Sequence, residues 1–307
     1  MTEILFTTMD VSRMLQVDKS TVKRWTDEGK LKCFRTPGGH RKFRAEDLYQ
    51  FMADYNYGVS PVNLYPQFAS DEAVIRRIIT KKEYNVLASV CLSAAIKGKK
   101  DEVVKLFSET YRYGLSLPAI FDEVLRPTLK RINDLHNANK VSAAEKQLAH
   151  SAIANSIILM SDIVAKSASN GKIAICATVE GDNNDIELKS LVVLLESEGF
   201  DVLNLGVSAS TDAIVQLAND HQAQYVFLSA STMTEHATSL TEHSKIMNEL
   251  KLYGGKLILI GQAYTQELLE HEFQGLFDKA CASFREVALL QHEMSSGKTH
   301  TTPIDRN

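Results

Sequence analysis

No run of this sequence reaches the roughly 20 consecutive apolar residues that a membrane-spanning helix needs. The opening MTEILFTTMDVSRML has no basic segment leading into an apolar stretch and no small-residue cleavage site, so it does not read as a signal peptide. The expectation is a cytoplasmic chain without membrane contact. Cysteine is scarce: Cys33, Cys91, Cys176 and Cys281 lie far apart, without metal-type spacing, and read as reduced, mostly packed thiols. Neither a nucleophile-base constellation nor a phosphate-cradling glycine loop is visible, so no enzyme is expected. Proline is also scarce, and two of the six fall in ADYNYGVSPVNLYPQFAS, which marks 53–70 as a linker.

What is present suits an ordinary soluble protein: 307 residues, 44% hydrophobic and 23% charged, enough for two or three packed units. The net charge of −4 conceals an asymmetry. Between Lys19 and Arg44 stand nine basic residues and only two acidic ones, Asp27 and Glu28, which makes this stretch +7 and the remainder −11. A basic patch confined to one small module of an acidic chain is the footprint of a head that binds a polyanion.

Within residues 1–52, Thr7 or Thr8 can cap a short helix that turns Val11, Met14 and Leu15 inward. Asp18 can cap a second, KSTVKRWTDEG, with Val22 and Trp25 inside and Gly29 as its stop. Two helices across the turn Gln16-Val17, the second carrying Lys19, Ser20, Thr21, Lys23 and Arg24 outward, predict a helix-turn-helix whose second helix lies in the DNA major groove. Next come two short strands flanking Pro37-Gly38-Gly39, with Arg35, His40, Arg41 and Lys42 about the tip, which reads as a wing. Phosphate contacts are assigned to Arg35, Arg41 and Lys42, and base contacts to Lys19, Ser20, Thr21 or Lys23. Gly38 and Gly39 let the backbone approach the phosphates. The run Arg35-Thr36-Pro37-Gly38-Gly39-His40-Arg41-Lys42-Phe43 resembles the wing of MerR-family regulators. Because one head is small and no long heptad coil follows, oligomerisation is expected to fall to the body.

From 71 to 168 apolar residues recur at three-and-four spacing in four segments, which predicts a four-helix bundle. From 169 to 294 the short runs KIAICAT, DVLNLG, YVFLSAS, KLILIG and KACAS alternate with helical segments and predict a flavodoxin-like α/β domain with a five-stranded parallel sheet. The polar stretch 295–307 reads as a disordered tail.

A MerR head, helical bundle and α/β domain in this order resemble the light-responsive, cobalamin-dependent MerR-type repressors. The likeness rests on GDNNDIELKSLVVLLESEGFDVLNLG, where Gly181, Asp182, Asp185, Ile186, Leu195, Gly199, Phe200, Val202, Leu205 and Gly206 keep the register of the cobalamin-binding pattern. The positions that the resemblance assigns to the cofactor are replaced. The cobalt-ligating histidine falls on Asn184, and an amide is a poor ligand for that metal beside imidazole. The glycine three residues on is Glu187, the S-x-L element reads Ser229-Ala230-Ser231, and the paired glycines read Gly261-Gln262. In the bundle, the capping tryptophan falls on His136 and the glutamate-histidine pair on Glu145-Lys146.

The reading from these residues is a DNA-binding transcriptional regulator, a repressor, that works without a cofactor and without histidine-ligated cobalamin. Its body sets a homo-oligomeric state and receives a signal or a regulatory protein. An atypical cobalamin photosensor and a cobalamin carrier domain of a methyltransferase or mutase remain as alternatives. A small-molecule site, should there be one, is expected at Asp182–Asp185, at a strand's carboxyl end. Glu235, His236, Glu242 and His243 stand at helical spacing and could chelate a metal, but exposed helix polarity is the reading adopted and no metal is expected.

Overall fold

The computed structural model describes residues 5–15, 17–44, 47–48, 51, 76, 78–231 and 235–296. The expected linker over 53–70 and residues 297–307 of the expected tail lie outside the described residues. The chain divides into two compact units, Met1–Glu109 with Pro127–Ala152 and Thr110–Arg126 with Ile153–Asn307.

In the first unit, β1 (Leu5–Thr7) leads directly into α1 (Thr8–Met14). Thr7 provides the cap: its Oγ1 accepts from Asp10 N at 3.2 Å, while its own N–H and hydroxyl donate to Asp10 Oδ2 at 2.8 and 2.7 Å. Helix α2 (Lys19–Asp27) follows a turn in which Ser12 Oγ donates to Val17 O at 2.7 Å. Strands β2 (Phe34–Arg35) and β3 (Arg41–Arg44) form a hairpin, and β1 pairs antiparallel with β3 on its other side. Val11, Leu15, Val22, Trp25, Leu31 and Phe43 are all buried in this small module. Burying such side chains contributes about 1.5–3 kcal/mol each relative to exposure.

The expected first helix of the body is interrupted. Lys82 adopts φ 54°, and the chain turns there before α3 (Tyr84–Ile96), so the helical spacing read through Lys81–Glu83 overran a break. Every residue of α3 from Val86 to Ile96 is buried, which explains its weak one-sided pattern. Helix α4 (Lys100–Arg112) follows a turn at Gly98, and α5 (Leu117–Ile120) starts at the Ser116 cap with Pro118 in its first turn. Helix α5 continues through a π-helical turn, Phe121–Leu125, into α6 (Arg126–Asn137). The wide turn lies just before Pro127, which has no N–H to give back to the preceding turn. Helix α7 spans Ala143–Ile163. Within the first unit, Thr128 Oγ1 of α6 donates to Ala88 O at 3.1 Å, and Arg131 donates to Ser89 Oγ at 2.7 Å.

The second unit holds the parallel sheet: β4 (Ile173–Thr178), β5 (Asp201–Gly206), β6 (Tyr225–Ser229), β7 (Lys256–Ile260) and β8 (Lys279–Cys281). Their spatial order is β5-β4-β6-β7-β8, with the connecting helices α8 (Asp185–Ser197), α9 (Thr211–His221), α10 (Leu240–Lys251) and α11 (Gln266–His271), and α12 (Phe284–Ser296) closing the chain of elements. This is the five-stranded parallel sheet expected, in doubly wound order. Ala174–Thr178, Tyr225–Ser229 and Leu257–Ile260 are buried throughout because helices cover both faces of the central strands, whereas edge strand β5 is partly exposed. The strand order reverses between β4 and β6, so their carboxyl ends open a crevice, the place where open α/β sheets hold ligands.

All four cysteines are free thiols. Cys91, Cys176 and Cys281 are buried and Cys33 is half-buried. Burial pushes the Cys91 thiol up to about 12, which leaves it inert as a nucleophile. Among the described residues no helix is long and apolar enough to cross a membrane.

Candidate functional site

The first candidate site is the basic head. Asp18 accepts from Ser20 N at 2.7 Å, and this hydrogen bond holds its carboxyl below the usual carboxylate range. The cap aims α2 so that Val22 and Trp25 are buried, Lys19, Ser20, Lys23 and Arg24 are exposed, and Thr21 is half-buried. At the hairpin tip Gly39 takes φ 76°, donates to Thr36 O at 2.8 Å, and leaves Gly38 and His40 exposed. Not every basic group is available to DNA. Arg41, with a side chain only 15% exposed, donates to Asp27 Oδ1 at 2.5 Å, and Arg35 approaches the same oxygen at 3.7 Å. Glu28 lies 3.9 Å from Arg24 and 2.6 Å from Lys30. The two acids of the stretch therefore clamp the hairpin and the end of α2. Lys19, Lys23 and His40 remain exposed, and Lys42 is half-buried.

Two residues expected to line a ligand site in the helical region have local partners. His136 lies in the last turn of α6, and its Nδ1 donates to Val141 O at 3.0 Å. Glu145 completes a capping box with Ser142: its carboxylate accepts from Ser142 N at 2.8 Å, and Glu145 N donates to Ser142 Oγ at 3.2 Å. The hydrogen bond from Ser142 N lowers the Glu145 pKa.

The second site is the crevice at the sheet's carboxyl edge, where hydrogen bonds stitch the loops together. Asp182, 2% exposed, accepts from Asn184 N at 2.9 Å and from Ser231 Oγ at 2.8 and 2.9 Å, and Ser231 N also donates to it. Asp182 thus joins the loop after β4 to the loop after β6. Thr178 Oγ1 donates to Asp182 O at 2.6 Å and accepts from Ser208 N at 2.7 Å, which ties in the loop after β5. The last loop is fixed by close approach. Gly261 takes φ 119°, and a Cβ there would meet Ala230 O at 2.1 Å. Ser229 is buried and its carbonyl accepts from Val179 N at 3.0 Å, whereas Gln262 is exposed.

Asn184 caps α8, its side-chain oxygen accepting from Ile186 N at 3.3 Å. Glu187 turns its carboxylate to Arg126, whose Nε donates to Oε1 at 3.0 Å; Arg126 also donates to Asp122 Oδ1 at 3.2 Å and to Ala282 O at 2.7 Å. The side chain that replaces glycine at 187 therefore lies within α8 and has a partner within the protein. Arg126 and Asp122 were not foreseen. Their signal was an Arg-Pro pair inside a helix, which marks the turn but names no partner.

The four residues at helical spacing do not share a helix face. Helix α10 begins at Leu240, after the Ser239 cap, so His236 lies in the preceding turn. His236 Nδ1 bonds Glu242 Oε1 at 2.8 Å, and that bond raises the imidazole pKa, with Glu180 and Glu235 adding to it. His243 is buried, which corrects the reading of exposed polarity. Its Nδ1 donates to Ser239 O at 2.8 Å, Nε2 faces Tyr264 OH at 3.1 Å, and the ring packs edge-on against Phe273 at 4.6 Å. Burial lowers the His243 pKa and raises that of Tyr264. Among the described residues, no three metal-ligating side chains gather to hold an ion.

Two domain families match parts of this chain. Residues 5–55 match the helix-turn-helix domain family and residues 172–286 the B12 binding domain family. The chain is similar to monomethylamine corrinoid protein 2 of Methanosarcina acetivorans, 26% identical over 151 residues, which cover 48% of this chain and 69% of that protein. It is also similar to methionine synthase of Mycobacterium leprae, 25% identical over 190 residues, 58% of this chain and 16% of that one. The solved monomethylamine corrinoid protein of Methanosarcina barkeri aligns with a TM-score of 0.54 at 21% identity, covering 66% of this chain and 96% of that one, and so shares the fold.

The chain therefore carries an N-terminal helix-turn-helix domain and a B12-binding domain, both binding modules, and is not an enzyme by itself. The expectation of no cofactor is overturned: the domain match and the corrinoid relatives point to cobalamin. Replacement at Asn184 and Glu187 does not outweigh the match of the surrounding domain. Position 184 offers a cobalt centre only an amide, and its oxygen is already engaged by Ile186 N as the α8 cap.

Proposed function

We propose that this chain is a corrinoid-carrying, DNA-binding regulator, in which a winged, MerR-type head binds double-stranded DNA and the α/β domain binds cobalamin. The observation that carries the reading is the presence, in one chain, of a helix-turn-helix domain with Lys19, Ser20, Lys23 and His40 exposed and of a B12-binding domain with its loops tied at the strand-order reversal. Lys19, Lys23 and Lys42 make phosphate or base contacts. Ser20, Thr21, Arg24, Gly38, Gly39 and His40 line the same face, with Arg35 and Arg41 holding the hairpin in place. The chain acts as a homo-oligomer, because one small head offers few phosphate contacts, and the helical region, a four-helix bundle in this reading, brings the copies together. A cytoplasmic location is part of this reading, supported by a DNA-binding head and by the lack, among the described residues, of a helix long and apolar enough to cross a membrane. The repressor role implied by the resemblance finds no support in the comparisons, and the proposal is of a regulator without a stated sign.

When bound, the corrinoid supplies a cobalt centre whose ligation can change with its state. The chain's own contribution would be to hold the loop Gly181–Asp185 in place through the bonds between Asp182 and Ser231. A second reading is favoured at least as well by the corrinoid relatives: a corrinoid carrier protein serving a methyltransferase system. One experiment separates the two. The full chain is incubated with hydroxocobalamin, passed over gel filtration and titrated onto a duplex from its own upstream region. A co-eluting stoichiometric corrinoid band with a DNA affinity that differs between apo and loaded forms supports the regulator. A corrinoid band with no DNA binding selects the carrier, and no band at all removes cobalamin from both.

A further inference from the structure

Two forces disfavour a carboxylate at position 27. Asp27 is the last residue of α2, at the helix end where the macrodipole already places negative charge. It also stands among the basic residues of the head, where an acid lowers the attraction for a polyanion. Its partners show what offsets both costs.

In the hairpin, Arg35 of β2 is the direct cross-strand partner of Arg41 of β3. Paired residues of antiparallel strands point to the same face, and like charges placed opposite each other destabilise the pairing. Alternation along β3 puts Arg41 on the face of Phe43, which is fully buried and paired with buried Phe6 of β1. Phe34 and Lys42, the next pair, take the opposite face. The two guanidiniums therefore share the covered side of the sheet, and Asp27 Oδ1 meets both, Arg41 Nη2 at 2.5 Å and Arg35 Nη2 at 3.7 Å. Arg41 Nε is buried and makes no hydrogen bond among the described residues, so the carboxylate of Asp27 is what answers this cation. The neighbouring acid has a shorter reach. Glu28 pairs with Arg24 of the same helix and with Lys30 in the turn after it.

We propose that Asp27 is a positioning residue of the DNA interface: by neutralising Arg35 and Arg41 together it fixes the wing against the end of α2. The exposed cations of α2, Lys19 and Lys23, and Lys42 and His40 of the wing are then presented at one fixed spacing to the phosphates of a single duplex. This rests on the DNA-binding reading above and gives an acid a favourable part in it. Asp27 weakens the attraction of the head as a whole and strengthens binding through geometry.

The test uses the sign of the effect. Asp27→Asn and Glu28→Gln each remove one negative charge from the head, so charge alone moves both in the same direction, toward tighter binding. The full chain and each variant are titrated onto a duplex from its own upstream region, and the contacted phosphates are mapped by ethylation interference. Glu28→Gln is expected to bind at least as tightly as wild type, and Asp27→Asn about tenfold more weakly. In Asp27→Asn, interference should fade at the outer phosphates reached by the wing and persist at those beside the groove that holds α2. Asp27→Asn binding as tightly as wild type, or more tightly, overturns the proposal, because the carboxylate then only screens two cations. A weakening of the same size in Glu28→Gln overturns it too.

An Asp27→Asn head that loses inner and outer phosphates together has lost more than the wing, and the exchange Asp27→Arg with Arg41→Asp then decides. The exchange keeps the wild-type net charge and sets one carboxylate between two guanidiniums again. Binding regained in that double variant supports the proposal, and binding still absent overturns it. Wild-type chain that binds no duplex overturns the DNA-binding reading and this assignment together.

Discussion

The guanidinium of Arg126 meets the carboxylate of Glu187 across 61 residues of sequence, Nε donating to Oε1 at 3.0 Å. The pair is largely withdrawn from water, with side-chain exposures of 18% and 10%. It belongs to a larger network. Asp122, bonded to Arg126, also accepts from Phe284 N and Arg285 N at 3.0 Å each and so caps α12, while the Arg126 guanidinium lies over the Phe284 ring at 4.7 Å. Replacing Glu187 by alanine takes one of its two carboxylate partners from the Arg126 guanidinium and leaves Asp122 as the other, whereas glutamine keeps a hydrogen-bond acceptor. Glu187→Ala is expected to cost about 1.5–3 kcal/mol and Glu187→Gln less, read from hydrogen exchange of the Phe284 and Arg285 amides, where α12 begins. Equal protection in wild type and Glu187→Ala would show that the pair holds nothing in place.

Arg41 and Lys23 are both basic residues of the head, yet the structure gives them different work. Arg41 is spent on Asp27 at 2.5 Å, and Lys23 is exposed. Removing one cation that pairs with a DNA phosphate should lower the slope of log affinity against log salt by about 1. Lys23→Ala is therefore expected to weaken duplex binding and flatten the slope by that amount. Arg41→Ala should weaken binding through a loosened hairpin while leaving the slope near its wild-type value. A slope change in Arg41→Ala equal to that in Lys23→Ala would make Arg41 a direct phosphate ligand.

Short-range features were legible in the sequence. Asp18 as a cap, Val22 and Trp25 as the inner face of α2, and the apolar runs that became β4, β6 and β7 all follow from residues within one turn or one strand of each other. The misreadings came where the deciding partner is remote or one residue sets a boundary. Spacing alone could not show that α10 starts at Leu240, so His236 and His243 were read as one exposed face when one sits in a turn and the other is buried. Nor could it give Glu187 its partner Arg126. The expectation of no cofactor fails for a related reason: a ligand side chain is one contact of many, and six replaced positions do not outweigh the register of the whole domain, Gly181 to Gly206 included.

Gly261 is a position where the fold leaves no room for choice. It takes φ 119°, and an added Cβ would meet the carbonyl oxygen of Ala230 at 2.1 Å. Ala230 is fully buried and hydrogen-bonded on both sides, from its N–H to Ile260 O at 2.9 Å and from Ala263 N to its carbonyl at 3.1 Å, so it cannot retreat. Gly261→Ala combines backbone strain of about 1–3 kcal/mol with that overlap. The expected result is a clear loss of thermal stability in the α/β unit with the head still folded, measured by limited proteolysis of the two regions. An alanine variant as resistant as wild type would mean that the loop after β7 can shift.

His243 makes the stability of the α/β unit depend on pH in a direction that can be worked out. Burial lowers its pKa from the ordinary value of about 6.5, and the neutral ring is the one the site is built for, Nδ1 donating to Ser239 O and Nε2 accepting from Tyr264 OH. Tyr264 stays protonated because its own burial raises its pKa, so it remains the donor. Below about 6.5 the unfolded chain takes up a proton at this residue that the folded chain still refuses, and the folded state loses ground as pH falls toward the lowered native value. Above that pH the contribution is complete. Thermal unfolding of the full chain should therefore move to lower temperature as pH falls from about 6.5. In His243→Gln, which keeps a polar side chain without a titrating ring, the chain should be less stable at neutral pH but show a shallower acid slope. An unchanged acid slope in that variant would assign the pH dependence to other groups.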